Sequence, residues 1–214
     1  VKPLLAILDR QHSGKPGSQV TDRGAGADLD GDGRVDVHER EALLTPRYLL
    51  GIEEQLLAAG ADVIPISDGT YAERHARAKA HAVAWRKVSA DRARAPVVYL
   101  AAHLNAFQPG HDRRHGLLIH DARSKGGAAL AAAIAAELVV SCPELSQVRV
   151  ERATSEVYAN GLATIAGVYD GIPVGVCLEP FFLDQVAHRP LATAEGLRRV
   201  GEAIARGVLA FARS

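Results

Sequence analysis

Ala95-Pro96-Val97-Val98-Tyr99-Leu100-Ala101-Ala102 is an uncharged run that stops at His103. A run this short and this apolar reads as a strand covered on both faces, because a half-exposed strand would alternate with polar residues. Pro3–Leu8, Ala61–Ile66, Gly116–Ile119, Gln147–Val150 and Val174–Leu178 are further short strand candidates. Longer segments with helical periodicity fall between them. One covers Pro46–Ala59, with Pro46 expected in its first turn, where a missing N–H costs nothing, and Gly60 as its stop. Thr70-Tyr71-Ala72-Glu73 is a capping box opening a helix to about Val88, and Lys125–Val140 and Ala192–Phe211 are two more helices. Strands alternating with helices of this length predict an α/β fold: one domain over residues 1–214, with a mostly parallel central sheet covered by helices on both faces.

The bulk numbers agree with that expectation. A chain of 214 residues, 48% apolar and 23% charged, can bury a substantial core. Lysine plus arginine and aspartate plus glutamate number 25 each, so no electrostatic footprint calls for nucleic acid. The longest apolar runs, such as Ala128–Val140, are too short and alanine-rich to span a bilayer. Cys142 and Cys177 make neither a disulfide framework nor a zinc knuckle, and both are expected to be buried or partly buried thiols. Val1–Asp9 lacks the features of a secretory signal, so release by lysis or a processed export signal is expected.

Ser13–Ala27 is rich in glycine, serine and proline and reads as an exposed loop. After it, Asp28-Leu29-Asp30-Gly31-Asp32-Gly33-Arg34-Val35-Asp36-Val37-His38-Glu39 interrupts the α/β pattern. It matches the EF-hand calcium loop position by position. Asp28, Asp30 and Asp32 fill the first three ligand positions, and Gly33 stands at the sharp turn. Arg34 would offer its carbonyl, Asp36 would bind directly or through water, and Glu39 would close the site bidentately. A hard divalent cation needs six to eight oxygens, which clustered carboxylates deliver in a short segment. The bland alternative is a solvated acidic loop with turn-forming Asp-Gly pairs; the filled ligand positions favour a structural calcium site.

Three polar residues follow apolar strands, where α/β sheets present active-site groups: His12, His103 and Glu179. Zinc hydrolases typically use three nitrogen or oxygen ligands and leave a position for water, whose proton an acidic group accepts. Such ligands, scattered along a chain, have no local signature, and a lone histidine after a strand is more often structural.

The segments around these residues resemble the zinc-dependent N-acetylmuramoyl-L-alanine amidases of the Amidase_3 family, found in bacterial autolysins and phage endolysins. Ala6-Ile7-Leu8-Asp9-Arg10-Gln11-His12-Ser13-Gly14 is similar to the family's opening strand and its DAGHGG-like turn. Tyr99-Leu100-Ala101-Ala102-His103-Leu104-Asn105-Ala106 is similar to the SIHANA segment, and Val174-Gly175-Val176-Cys177-Leu178-Glu179-Pro180-Phe181-Phe182-Leu183 to the C-terminal segment with the catalytic glutamate. Leu56-Leu57-Ala58-Ala59-Gly60-Ala61-Asp62-Val63 resembles the first helix-to-strand corner. The resemblance implies zinc held by His12, His103 and a glutamate about five turns before Gly60, which falls on Glu41, with Glu39 as the competitor. It also implies Glu179 as the catalytic base. Asn105 is two residues from His103, on the same face if the strand continues, where it can orient a ligand or a substrate amide or serve only the backbone. The implied activity is hydrolysis of the bond between N-acetylmuramic acid and L-alanine in peptidoglycan, by a monomer acting at the bacterial cell wall. Rivals are a zinc amidohydrolase of the same fold acting on another amide, and a non-catalytic, calcium-stabilised wall-binding module. Arg10 and Gln11 replace the small residues usual before the first histidine, Ser13 a glycine, and Asp184 an asparagine; Pro180 after the glutamate is also unusual. His111, His115 and His120 are expected at the surface or behind the ligands.

Overall fold

The computed structural model describes residues 2–12, 24–106, 115–154 and 162–214. Six strands, β1 (Leu5–Arg10), β2 (Asp62–Ile66), β3 (Val97–Ala102), β4 (His115–Asp121), β5 (Gln147–Ala153) and β6 (Val174–Glu179), form one sheet in the order β2-β1-β3-β6-β4-β5. β1, β2, β3 and β6 run parallel, β4 is antiparallel to β6, and β5 is parallel to β4. The helices are α1 (Glu41–Ala58), α2 (Tyr71–Arg86), α3 (Ala90–Arg94), α4 (Lys125–Ser141), α5 (Ala163–Ala166) and α6 (Ala194–Arg213). Short 3-10 turns occupy Val37–Glu39 and Val186–Ala192.

The apolar runs are buried on both faces, as their composition requires. Leu4, Ala6, Leu8, Val98, Leu100 and Ala102 join the core with α1, α4 and α6, while Leu5, Ile7, Val97, Tyr99 and Ala101 join the opposite core with Ala78, Ala82 and Trp85 of α2 and Ile165 of α5. This period of two through β1 and β3 is the pleat sending alternate side chains to alternate layers. α6 buries Leu197, Val200, Gly201, Ile204, Ala205 and Val208 along one face, a helical stripe. It crosses α1 closely enough that a Cβ on Gly201 would lie 2.2 Å from the Tyr48 carbonyl oxygen.

One helix begins earlier than its sequence suggests. α1 starts at Glu41, so Pro46 is its sixth residue and lies inside the helix. A proline there removes the bond to the carbonyl four residues back, that of Ala42. Arg10 Nη2 donates to that oxygen at 2.8 Å, which lets the helix continue through the proline. α3 and α5, of five and four residues, carry too little periodicity to be seen in the sequence. Cys142 and Cys177 are free and buried, as expected. His115 and His120 are buried rather than at the surface: His115 packs against Phe182, and His120 Nδ1 lies 2.9 Å from the Asp121 carbonyl. His111 and most of the expected Ser13–Ala27 loop lie outside the described residues.

The register sets up the site. Arg10 pairs with Ala102, and Ala102 with Leu178, so the carboxyl ends of β1, β3 and β6 stand level. His12, His103 and Glu179 therefore leave the sheet along one edge, and α1 begins its return across the sheet beside them.

Candidate metal centre at the carboxyl edge of the sheet

Three donors converge beyond that edge. His12 Nε2 lies 3.2 Å from His103 Nδ1 and 3.5 Å from Glu41 Oε1, and His103 Nδ1 lies 3.0 Å from the same Glu41 oxygen. Glu41 is buried and both histidines are partly buried.

Each donor is fixed by local structure. Glu41 is the first residue of α1, and its Oε1 also accepts from the Leu104 amide at 2.9 Å. Its Oε2 accepts from the Ala25 amide at 2.8 Å, while its own amide donates to the Ala25 carbonyl at 2.8 Å. The strap carrying Ala25 pairs with the chain ahead of α1 through an antiparallel bridge between Gly26 and Arg40. Gly24, at φ +68°, passes so close that an added Cβ would meet Glu41 Oε2 at 2.2 Å. His103 directly follows β3; its amide donates to the Leu178 carbonyl at 2.9 Å, and its carbonyl accepts from the Tyr48 hydroxyl of α1 at 3.0 Å.

His12 adopts φ +52°, a left-handed conformation uncommon for a residue with a Cβ. A buried polar cluster behind it supports the turn. Asp9 accepts from the Tyr99 hydroxyl and the Gln11 side-chain amide. Arg74 of α2 brings its Nε within 3.2 Å of Asp9 and donates through Nη2 to Gln11 Oε1 at 3.0 Å. Burial pushes the Asp9 carboxyl above its ordinary range, against the pull of Tyr99 and Arg74, and burial also raises the Tyr99 hydroxyl well above its usual value. Gln11, a departure from the resembled motif, is thus an internal strut and not a cleft residue.

Glu179 ends β6, and its Oε2 accepts from Asn105 Nδ2 at 2.6 Å. Burial raises its carboxyl above the ordinary range, opposed by His103 and the Asn105 hydrogen bond and reinforced by Glu41. Asn105 is itself held between the Phe181 carbonyl and the Leu183 amide, so its side chain is aimed by backbone on both sides.

The donor set fits a transition metal. Nitrogen and oxygen ligands in a tetrahedral zinc shell stand about 3.3–3.6 Å apart, given bond lengths of about 2.0–2.2 Å. Separations of 3.0–3.5 Å match that spacing. His103 Nδ1 carries at most one proton and cannot satisfy both an imidazole nitrogen and a carboxylate, whereas one cation at their focus satisfies all three donors. Glu39, the competitor for the third position, is not in this group; it clusters with Asp30 and His38.

The acidic loop forms a separate constellation. Asp28, Asp30 and Asp32 bring carboxylate oxygens within 4.8 Å of one another, and the carboxylates of Asp30 and Glu39 gather as closely with a ring nitrogen of His38. Gly33 takes φ +87° at the sharp turn, and its amide donates to Asp28 Oδ2 at 3.0 Å. Buried Glu39 accepts from the amides of Leu29 and Asp30 through Oε1 and from that of Asp36 through Oε2. Arg34 and Asp36 are exposed, as are Asp30 and Asp32, and the Asp36 carboxylate lies outside these two groups.

No protein-family model matches the chain, and no curated protein sequence does. Solved structures do. N-acetylmuramoyl-L-alanine amidase AmiC2 of Nostoc punctiforme superposes with a TM-score of 0.65 at 16% identity, covering 99% of this chain and 98% of that one. The CwlD amidase of Clostridioides difficile, solved with the GerS lipoprotein, gives 0.66 at 18%, with 97% of both chains covered. An N-acetylmuramoyl-L-alanine amidase of Clostridium difficile gives 0.68 at 14%, covering 100% of this chain and 99% of that one. The fold is that of an amidase catalytic domain.

Proposed function

We propose that the chain is a zinc-dependent N-acetylmuramoyl-L-alanine amidase, hydrolysing the amide between N-acetylmuramic acid and L-alanine of peptidoglycan. The observation that carries this reading is the focus of His12, Glu41 and His103 donors within 3.5 Å, beside a buried carboxylate, on an amidase fold. His12, Glu41 and His103 would hold the metal. Zinc, when bound, supplies a Lewis acid that polarises a carbonyl and lowers the pKa of water. Glu179 takes the water's proton on a carboxylate oxygen and returns it to the departing L-alanine nitrogen. Asn105 holds that carboxylate in one orientation through its 2.6 Å bond. Burial serves the role, since a carboxylate with a raised pKa is a stronger base than an ordinary one and takes the water's proton more readily.

Residues 1–214 act as one catalytic domain, a monomer working at the bacterial cell wall as an autolysin or phage endolysin. No helix among the described residues is long and apolar enough to cross a membrane. Residues 28–39 bind calcium as a structural ion through Asp28, Asp30, Asp32, the Arg34 carbonyl, Asp36 and Glu39. The first three carboxylates, already gathered, support this part.

The test is metal content by elemental analysis for the wild type and His103→Ala, with product analysis on purified peptidoglycan. One zinc per chain, lost in His103→Ala, and free L-alanine amino termini as product are expected. Zinc without those termini would mean another amide substrate, and no zinc would mean a binding module. Glu179→Ala is expected to retain zinc and lose hydrolysis by about 100-fold or more.

A further inference from the structure

Arg10 stands where the resembled motif has a small residue, and its contact has a specific cause. Pro46 lacks the N–H that would close the helical bond to Ala42, the residue after Glu41. That carbonyl is left open in the turn that carries a metal donor. Arg10 Nη2 fills it at 2.8 Å. Arg10 is also the last residue of β1, two before His12, and its backbone pairs with Ala102, the residue before His103. One side chain thus ties the start of α1 to the strand ends that carry the other two donors.

We propose that Arg10 is a positioning residue for the metal centre: it completes the first turn of α1 in place of the amide Pro46 lacks, and so holds Glu41 facing His12 and His103. The cation suits the task because a charge-assisted bond to a carbonyl is shorter and stronger than a neutral one. The geometry gives an unusual form of test, since Arg10 is needed only because residue 46 is proline. An alanine at 46 restores the N–H, closes the bond to Ala42 within the helix and makes the guanidinium redundant.

The inference rests on the zinc reading, and the experiment separates the two. Zinc dissociation constants are measured on the full chain by competition with a chelating dye, for wild type, Arg10→Ala, Pro46→Ala and Arg10→Ala/Pro46→Ala, with thermal melts of each. Groups that orient metal ligands typically change affinity by about 10–100-fold. Arg10→Ala is expected to weaken zinc by about tenfold or more, and Pro46→Ala to stay within about threefold of wild type. The double variant is expected to return to within about threefold of Pro46→Ala. Should Arg10→Ala fail to fold, the refolded double variant with near-native zinc affinity makes the same point. An equal loss from Arg10→Ala in both backgrounds, no loss in either, or an unfolded double variant would each overturn the inference. A wild type that binds no zinc, or binds it equally well with His103→Ala, overturns the zinc reading and this inference with it.

Discussion

Gly24→Ala isolates what the strap does for the metal centre. Two costs follow from the coordinates. Gly24 sits at φ +68°, and moving a residue with a Cβ into that region costs about 1–2 kcal/mol. The new methyl would also stand 2.2 Å from Glu41 Oε2 and 2.8 Å from its Cβ and Cδ, so one partner must retreat by about 1 Å or more. Glu41 has little freedom to turn aside, because its carboxylate is held by the Leu104 and Ala25 amides. Losing the Ala25 bond, which involves a charged acceptor, adds about 1.5–3 kcal/mol. The sum is about 2.5–5 kcal/mol, some of it spread into the strap.

That total lowers the melting temperature by roughly 5–20 °C at about 2–4 °C per kcal/mol for a domain of this size. Displacing Glu41 also weakens zinc by about tenfold or more. The assay is a melt of the metal-free protein together with a chelator-competition titration. Gly201→Ala is the control. Its methyl would lie 2.2 Å from the Tyr48 carbonyl in the α1–α6 contact, costing about 1–3 kcal/mol by overpacking while leaving the affinity of the folded protein for zinc within about threefold. Wild-type zinc affinity in Gly24→Ala would refute the argument that the strap sets Glu41.

Glu179 predicts a pH signature. Burial raises its carboxyl, and His103 and the Asn105 bond work the other way without cancelling it, so the basic form gives way at a higher pH than in an ordinary carboxylate. Activity should fall on the acid side at a pH above that range, and Asn105→Ala should move this limb further up; an unmoved limb with a lowered plateau would place Asn105 on the substrate instead. Calcium at about 100 times its dissociation constant should add about 2.7 kcal/mol, roughly 5–10 °C, to the wild type and nothing to Asp28→Ala/Asp30→Ala; equal melting with and without calcium would leave the loop a plain acidic turn. Burial opposes ionisation of Glu39, but the amides of Asp36, Leu29 and Asp30 outweigh it and hold its carboxyl below the ordinary value. Its stabilising contribution is therefore complete above the unfolded value near 4.5 and disappears as pH falls through the folded one. Acid melts of Glu39→Gln should lack that component, and curves parallel to wild type would count against it.

The places of His103 and Glu179 at the sheet edge were legible because each ends an uncharged run, and that of His12 because it follows one by a few residues; strand ends are where an α/β sheet displays its chemistry. Glu41 was legible only through resemblance, since nothing local marks it. Pro46 obscured the helix start: its preference for a first turn is sound, and only a distant guanidinium overrides it. Residues 24–26 read as part of a glycine-rich loop, although Ala25 bonds Glu41 twice, because composition does not reveal where a loop returns. Arg10 and Gln11 stood out as departures, but their inward roles depend on Ala42 and Arg74, partners 32 and 63 residues away. The antiparallel setting of β4 was hidden for a similar reason, since a covered apolar strand has the same composition in either direction.

The donors meet only by breaking local rules. His12 is left-handed, α1 contains a proline, and Glu41 is a buried carboxylate facing two imidazoles. Each exception costs about 1–3 kcal/mol taken alone, and each has its own compensation. Gln11, Asp9 and Arg74 support the turn before His12, Arg10 replaces the missing amide, and Leu104 and Ala25 cap the carboxylate. Glycine at 12 and alanine at 46 would each be simpler locally. Three independent exceptions converging on one focus are hard to account for as packing, because packing rewards none of them. A cation at that focus rewards all three, since it alone benefits from two imidazoles and a carboxylate held at ligand spacing before it arrives. If that is what the arrangement serves, Glu41→Gln should weaken zinc binding far more than it lowers the melting of the metal-free protein, which loses only one of the two amide bonds to the side chain. A Glu41→Gln protein that binds zinc as tightly as wild type would instead assign Glu41 to holding the fold.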